Sequence, residues 1–467
     1  MVLGIIIPDG VGIKNYLYTR IPKLFLQNPA NRIVFISSQF DEGLLNSIVE
    51  PLGAKASLVT LPAYNESTTN RLLRDAITFA RLKYFAQKLN NPTILTAAPN
   101  ASSWKRKLIN NLASFIGSVS AKSYSSIEAM EKWYTARLSM IDVTAQTQIL
   151  TNYKVDTIIS LHQRPMVNIP MYEAARRLGI KRTCVIYSWD NVAKARLFTP
   201  SDVYMLWSQY MLDQMQLFYP EISKEKLFIT GTPQFSFYFN DDYRSNRDSF
   251  CEKWALPVNR PLILFTGSDH KTSPYDPYLL RDCAEAILSI PEDKRPALIF
   301  RRTPADFTDR YDWVFDKYSW IKKMDPVWLN NGTGWGSAVP TQADIENIVG
   351  LVQHCAVVIN VASTMALDAA TQNKPCLYLS YHPKEARDKG MPVYNITHDE
   401  DHFKVMKDID AVAYVEHEDA LLSTIEKALT APDSIATGRK KYLHVITNEL
   451  YLTAEESIVR LLEQQTV

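Results

Sequence analysis

VVINVASTMALDAATQNKPCLYL, residues 357–379, reads as one strand–helix–strand unit. Residues 357–360 form an unbroken apolar run that stops at Asn360. Ser363 and Thr364 are helix-capping residue types placed where a helix would begin. Residues 364–371 carry the helical pattern, Gln372 to Pro375 interrupt it, and a second apolar run follows at 376–379. Two short strands without polar alternation, joined by a helix, are what a parallel sheet buried on both faces requires.

The same pattern extends in both directions. In the second half, strands are expected at 261–265, 297–300 and 411–415, and helices at 278–290, 344–353 and 421–429. In the first half, strands are expected at 3–7, 32–36, 93–95, 157–161, 183–187 and 202–207. Helices are expected there at 11–27, 67–89, 127–151 and 169–178. The stretch KLFITGTP then closes the first series, and a polar connection, FNDDYRSNRDSF, precedes the second. A chain of 467 residues exceeds the roughly 250–300 that one core fills. The expected fold is therefore α/β, with two Rossmann-like, doubly wound parallel-sheet domains facing a cleft. Residues 1–240 form the first domain and 241–439 the second, and a helix over 440–467 packs across both.

Lys and Arg number 51 against 50 Asp and Glu, a net charge of +1. A protein that coats nucleic acid carries a basic surplus, so no nucleic-acid partner is expected. None of the five cysteines, Cys184, Cys251, Cys283, Cys355 and Cys376, is in a CxxC pair. They read as small buried hydrophobes in a reducing, cytoplasmic setting. No zinc-ligand spacing is present, and neither metal nor cofactor is expected. The opening MVLGIIIPDGVG lacks a basic leader and breaks at Pro8-Asp9-Gly10, so it reads as a first strand and not a signal peptide. No run of about 18 apolar residues predicts a membrane span. SWKRKLI at 103–109, followed by NNLASFIG, mixes cations with apolar residues. It reads either as a basic turn entering a core helix or as a helix lying on a membrane's inner face.

Ligands of open α/β sheets sit at the carboxyl ends of the strands. In LILFTGSDHKTS, Thr266, Gly267 and Ser268 follow a strand; the glycine permits close backbone approach and the hydroxyls and amides suit phosphate. In ALIFRRTPAD, Arg301 and Arg302 end a strand, and one guanidinium facing a diphosphate matches its oxygens. Ser363 and Thr364 are either caps alone or caps that also hold phosphate. Asp368 is either a sugar partner or a plain acid suited to the helix dipole.

In GIIIPDGVGIKNYL, the dinucleotide fingerprint is incomplete because Asn15 stands where the third glycine would be. Gly10 and Gly12 would instead admit an acceptor, and Asp9 is either a general base or a helix cap. IISLHQRPMVN offers His162, Gln163 and Arg164 after a strand, with His162 as a proton-transfer candidate or a structural residue. CVIYSWDNVAKARL offers Trp189, Asp190 and Asn191 as a sugar platform with polar rim, or as a buried turn. NNGTGWGSAVPTQAD at 330–344 is a long glycine-rich loop, a candidate lid. Asp241-Asp242 lie in the polar connection and read as solvated, not as metal ligands.

The order of these blocks resembles the GT-B glycosyltransferase superfamily. It is nearest to the branch holding CDP-glycerol glycerophosphotransferases, surface-polysaccharide transferases and UDP-sugar epimerases. The matching residues are Gly231-Thr232-Pro233 at the end of the first domain, Thr266-Gly267-Ser268, Arg301-Arg302-Thr303-Pro304, and Ser363-Thr364 with Asp368. Thr303 replaces the family's common His. The resemblance covers most of residues 155–385. It implies a nucleotide-sugar donor held by Thr266, Gly267, Ser268, Arg301, Arg302, Ser363, Thr364 and Asp368. It also implies acceptor binding in the first domain and metal-free chemistry; the residues read there place the acceptor near Gly10, Gly12, Trp189, Asp190 and Asn191, with Asp9 or His162 to deprotonate its hydroxyl. The expected activity is sugar transfer from the donor to a glycan, lipid-linked glycan or protein. The alternatives are polyol-phosphate transfer from a CDP-linked donor, non-hydrolysing epimerisation of a UDP-sugar, or an inactive binding module.

Overall fold

All the strands of two separate sheets run parallel, one sheet in each half of the chain. The computed structural model describes residues 1–37, 42–100, 103–195, 197, 200–270, 272–304, 306, 308–330, 338–387 and 400–465. The chain divides into two units, Met1–Pro233 with Ile446–Val467, and Gln234–Val445. The division falls just after the Gly-Thr-Pro turn instead of at 240.

The first sheet comprises β1 (Val2–Ile7), β2 (Arg32–Ser37), β3 (Ala56–Thr60), β4 (Thr157–Ser160), β5 (Lys181–Val185), β6 (Val203–Leu206) and β7 (Leu227–Ile229), in the order β3-β2-β1-β4-β5-β6-β7. Ile6, Val34, Ile36 and Ile158 pack under Met171 and Tyr172 of the Ile169–Leu178 helix. The second sheet comprises β8 (Leu262–Thr266), β9 (Ala297–Arg301), β10 (Lys322–Lys323), β13 (Val357–Asn360), β14 (Cys376–Leu379) and β15 (Ala413–Val415), in the order β10-β9-β8-β13-β14-β15. Between them in sequence, β11 (Trp328–Asn330) and β12 (Ala338–Pro340) form an antiparallel pair. Ile263, Phe265, Leu298, Phe300, Val357 and Ile359 form the buried centre of the second unit. All five cysteines are buried.

Four expectations fail for local reasons. Residues 93–95 are not a strand but part of a 3₁₀ turn, Pro92–Ala97. The Asn91 side chain accepts from the Thr93 amide and hydroxyl at 3.2 and 2.8 Å, a local turn that competes with sheet pairing. The helix expected over 11–27 is broken into a π turn at Ile13–Leu17 and a helix at Ile21–Phe25, because Pro22 lacks the amide a continuous helix would need. The helix expected over 127–151 is two, Tyr124–Leu138 and Thr144–Asn152. Asp142 accepts from the Thr144 amide at 3.0 Å and starts the second. The C-terminal helix is also two, Arg439–Thr447 and Ala454–Gln464, separated at Asn448 and Glu449, both with positive φ. Its last part belongs to the first unit. There Glu455 pairs with Arg20 at 2.9 Å and Gln465 accepts from Thr183 at 2.7 Å. The half-buried strand β3 was not expected at all.

Gly231 holds this return. Its φ is +77°, and an added Cβ would lie 2.7 Å from the Leu450 Cβ and 2.8 Å from the Leu450 carbonyl oxygen. Strain and overlap act together, so Gly231→Ala is expected to destabilise the protein by about 2–4 kcal/mol, read as a lowered urea midpoint at unchanged slope.

Candidate active site

Parallel winding changes direction once in each sheet: between β1 and β4 in the first, and between β8 and β13 in the second. At such a switch point the loops leaving adjacent strands diverge and open a crevice. Most of the candidate residues lie on those loops.

In the first unit, Asp9 leaves β1 and His162 leaves β4, on opposite sides of the switch. Asp9 has extended backbone and caps the turn that follows, its Oδ1 accepting from the Gly12 amide at 3.0 Å. Its Oδ2 lies 2.5 Å from His162 Nδ1. The cap and the imidazole partner are thus one carboxylate. Gly12 has the room it needs and no more: a Cβ would meet Leu161 at 3.2 Å. Gly10 and Gly12 are buried, and Gly12 sets how closely the helix start approaches Leu161, just after β4.

His162 is held at its carbonyl, at Nδ1 and on one ring face. Asn168 and Ser160 hold its carbonyl at 3.3 and 2.8 Å. Tyr187 stacks on its ring with centroids 4.1 Å apart, and Gln163 accepts from the Tyr187 amide at 3.0 Å. With Nδ1–H donating to Asp9, Nε2 is left as the acceptor. Nε2 is enclosed and has no hydrogen-bond partner among the described residues. An enclosed acceptor without a donor costs about 1–3 kcal/mol, which a substrate hydroxyl would relieve. The sequence offered Asp9 and His162 as separate candidates; their pairing and the Tyr187 platform were not foreseen.

The sugar platform expected at 189–191 is narrowed. Trp189 is 1 % exposed, so protein covers its ring faces. Asp190 pairs with Lys194 and accepts from Asn191 at 3.0 Å. The turn is held together by these contacts, the buried alternative of the two sequence readings.

In the second unit, the register aligns Thr266 with Arg301 and Phe265 with Ile359, so the loops after β9, β8 and β13 emerge side by side. Gly267 sits against Tyr311, whose hydroxyl would be 2.8 Å from a Cβ. The Ser268 amide donates to Asp276 at 2.9 Å, and Tyr311 donates to the same carboxylate at 2.7 Å. Burial holds the Asp276 carboxyl above its ordinary range despite these donors. Thr266 Oγ1 is buried without a partner among the described residues.

The two arginines differ. Arg301 is buried and gives one Nη to both oxygens of Asp344, each at 2.9 Å. Asp344 also accepts from the Val327 amide at 2.9 Å and the Trp328 indole at 2.6 Å. That guanidinium is therefore already neutralised inside the protein, against its expected place on a diphosphate. Arg302 is more open. It donates to the Thr308 carbonyl, and its Nε is ion-paired with Asp325 Oδ1 at 3.5 Å.

Ser363 Oγ accepts from the Met365 amide at 3.2 Å, while the Thr364 side chain makes no capping bond. The helix they open, Met365–Thr371, is short, so its dipole adds little and any anion would rest on hydroxyls and loop amides. Asp368 is buried and accepts from Tyr238 at 2.6 Å, which favours a packing role over sugar contact. Most of the glycine-rich loop, residues 331–337, lies outside the described residues. Asp241 and Asp242 are exposed, as their solvated reading expects. Among the described residues, no helix is long and apolar enough to cross a membrane.

No protein-family model matches the sequence, and no curated protein does. Solved structures do match along the whole chain. The UDP-GlcNAc 2-epimerase from Neisseria meningitidis bound to UDP-GlcNAc superposes with a TM-score of 0.54 at 11% identity, covering 99% of each chain. The UDP-GlcNAc 2-epimerase from Methanocaldococcus jannaschii gives 0.51 at 13% identity, covering 99% of this chain and 100% of its own. MnaA from S. aureus in a UDP co-structure gives 0.50 at 11%, covering 100% and 97%. At this identity the likeness establishes the fold: two Rossmann-like parallel-sheet domains of GT-B type.

Proposed function

We propose that this protein is an enzyme acting on a nucleotide-activated sugar, and that it transfers the sugar to a hydroxyl of a glycan, lipid-linked glycan or protein acceptor. The observation that carries the reading is the Asp9–His162 pair with its unpartnered Nε2. Asp9 fixes the tautomer, Nε2 takes the acceptor's proton, and the nearby carboxylate stabilises the imidazolium that forms. Donor phosphates would rest on Arg302 and on the Thr266, Ser363 and Thr364 hydroxyls, with charge offset by the guanidinium and no metal required.

Epimerisation is the second reading, favoured by the epimerase structures among the matches. Incubating the purified protein with UDP-GlcNAc alone separates them, since an epimerase forms product without an acceptor. The nucleotide itself is tested by thermal shift against UDP-, CDP- and other nucleotide-linked compounds. A true ligand at 100 times its Kd adds about 2.7 kcal/mol of stability. Arg302→Ala and Thr364→Ala are each expected to lower turnover at least about tenfold, roughly 1.4 kcal/mol. No shift with any member of the panel ends the proposal, and unchanged kinetics in both variants removes the donor site.

A further inference from the structure

The Trp104–Ser120 helix is packed the wrong way round for a core helix. Its small residues face inward: Ala113 and Gly117 are buried, and a Cβ on Gly117 would sit 2.6 Å from Phe79 and 2.9 Å from the Ala76 carbonyl on the Thr68–Lys88 helix. Its large residues face out. Trp104 and Phe115 are each 67% exposed, Leu108 60%, Val119 53% and Leu112 49%. The spacings of four, four, three and four residues put all five on a single stripe.

Charge says what covers that stripe. Lys105, Arg106 and Lys107 are exposed in the first turn, with no acid beside them. There they oppose the helix dipole, an arrangement a helix serving only the core would avoid. From Ala76 to Ile127 the sequence contains no Asp or Glu and seven Lys and Arg, in a protein whose overall charge is +1. Lys105 lies over the Trp104 ring at 5.6 Å, an amphipathic pair of the kind that sits at a headgroup boundary.

We propose that this helix docks the first unit onto an anionic lipid surface, with the apolar stripe at the acyl boundary and the three cations among the headgroups. Of the two readings open for residues 103–117, the structure's exposed stripe favours the membrane one. The inference is independent of the reaction proposed above.

The test is flotation of the full chain with phosphatidylcholine–phosphatidylglycerol vesicles and with pure phosphatidylcholine vesicles. Flotation with the anionic vesicles, weakened by salt, is expected. Each cation removed should weaken binding about fivefold, so the Lys105→Gln/Arg106→Gln/Lys107→Gln variant should lose on the order of 100-fold. Trp104→Ser/Leu108→Ser/Phe115→Ser should lose binding at an unchanged melting temperature, because those side chains leave the packed face untouched. The comparison of the two vesicle types needs no variant. The proposal is overturned if the unaltered protein stays with neither vesicle or with both equally. It is also overturned if it sediments as a dimer that the apolar variant converts to monomer, which would make the stripe a contact between copies.

Discussion

His162→Ala is expected to lower kcat by about 10²–10⁴-fold, the usual contribution of a positioned general base. KM for the nucleotide donor should stay nearly constant, because the residues proposed to hold the donor lie in the second unit. Asp9→Asn should lose nearly as much for a different reason. An amide nitrogen at Oδ2 would donate to Nδ1, force the proton onto Nε2, and leave the ring unable to accept. The two changes act on one unit, so the double variant should be little worse than either alone. Steady-state kinetics with whichever nucleotide-sugar the binding panel identifies reads all three. A His162→Ala enzyme retaining more than about half the wild-type kcat would remove the imidazole from the mechanism.

Breaking the Arg301–Asp344 pair is the other large effect. Either Arg301→Ala or Asp344→Ala leaves one buried charge without its partner, which costs about 3–5 kcal/mol. For Asp344 the loss includes the acceptor for the Val327 amide and the Trp328 indole. Replacing both charged residues with apolar ones should restore much of that stability, and a double-mutant cycle by urea denaturation measures the coupling.

The pair also sets an acid limit. Burial alone would raise the Asp344 carboxyl, but the Arg301 guanidinium and the donors around it bring it below the ordinary carboxylate value. A depressed folded-state value means the stabilisation is present above the unfolded carboxylate range, near pH 4. It is lost as pH falls through the lower folded value. Asp344→Asn should therefore flatten the acid side of the stability profile.

These contacts show where the sequence was legible. The strands β8, β9, β13 and β14 announce themselves because a buried parallel strand has no polar alternation to confuse the pattern. The positions of Asp9, His162, Arg302 and Ser363 followed, because what leaves a strand's carboxyl end sits at the sheet edge. What each side chain does there was not legible. Asp344 is 43 residues from Arg301, and Asp9 is 153 from His162; no local pattern encodes those partners. The lost strand at 93–95 and the broken helices were closer to legibility, since Asn91, Asp142 and Pro22 each carry a known local signal that competes with apolar patterning.

The return of residues 446–467 to the first unit bears on how the protein is made. Synthesis runs from the N-terminus, so the second unit leaves the ribosome whole while the first still lacks a wall. Until residues 454–465 emerge, Thr183 has no Gln465 to meet and Arg20 no Glu455. Of the two units, the one translated first is thus the one completed last.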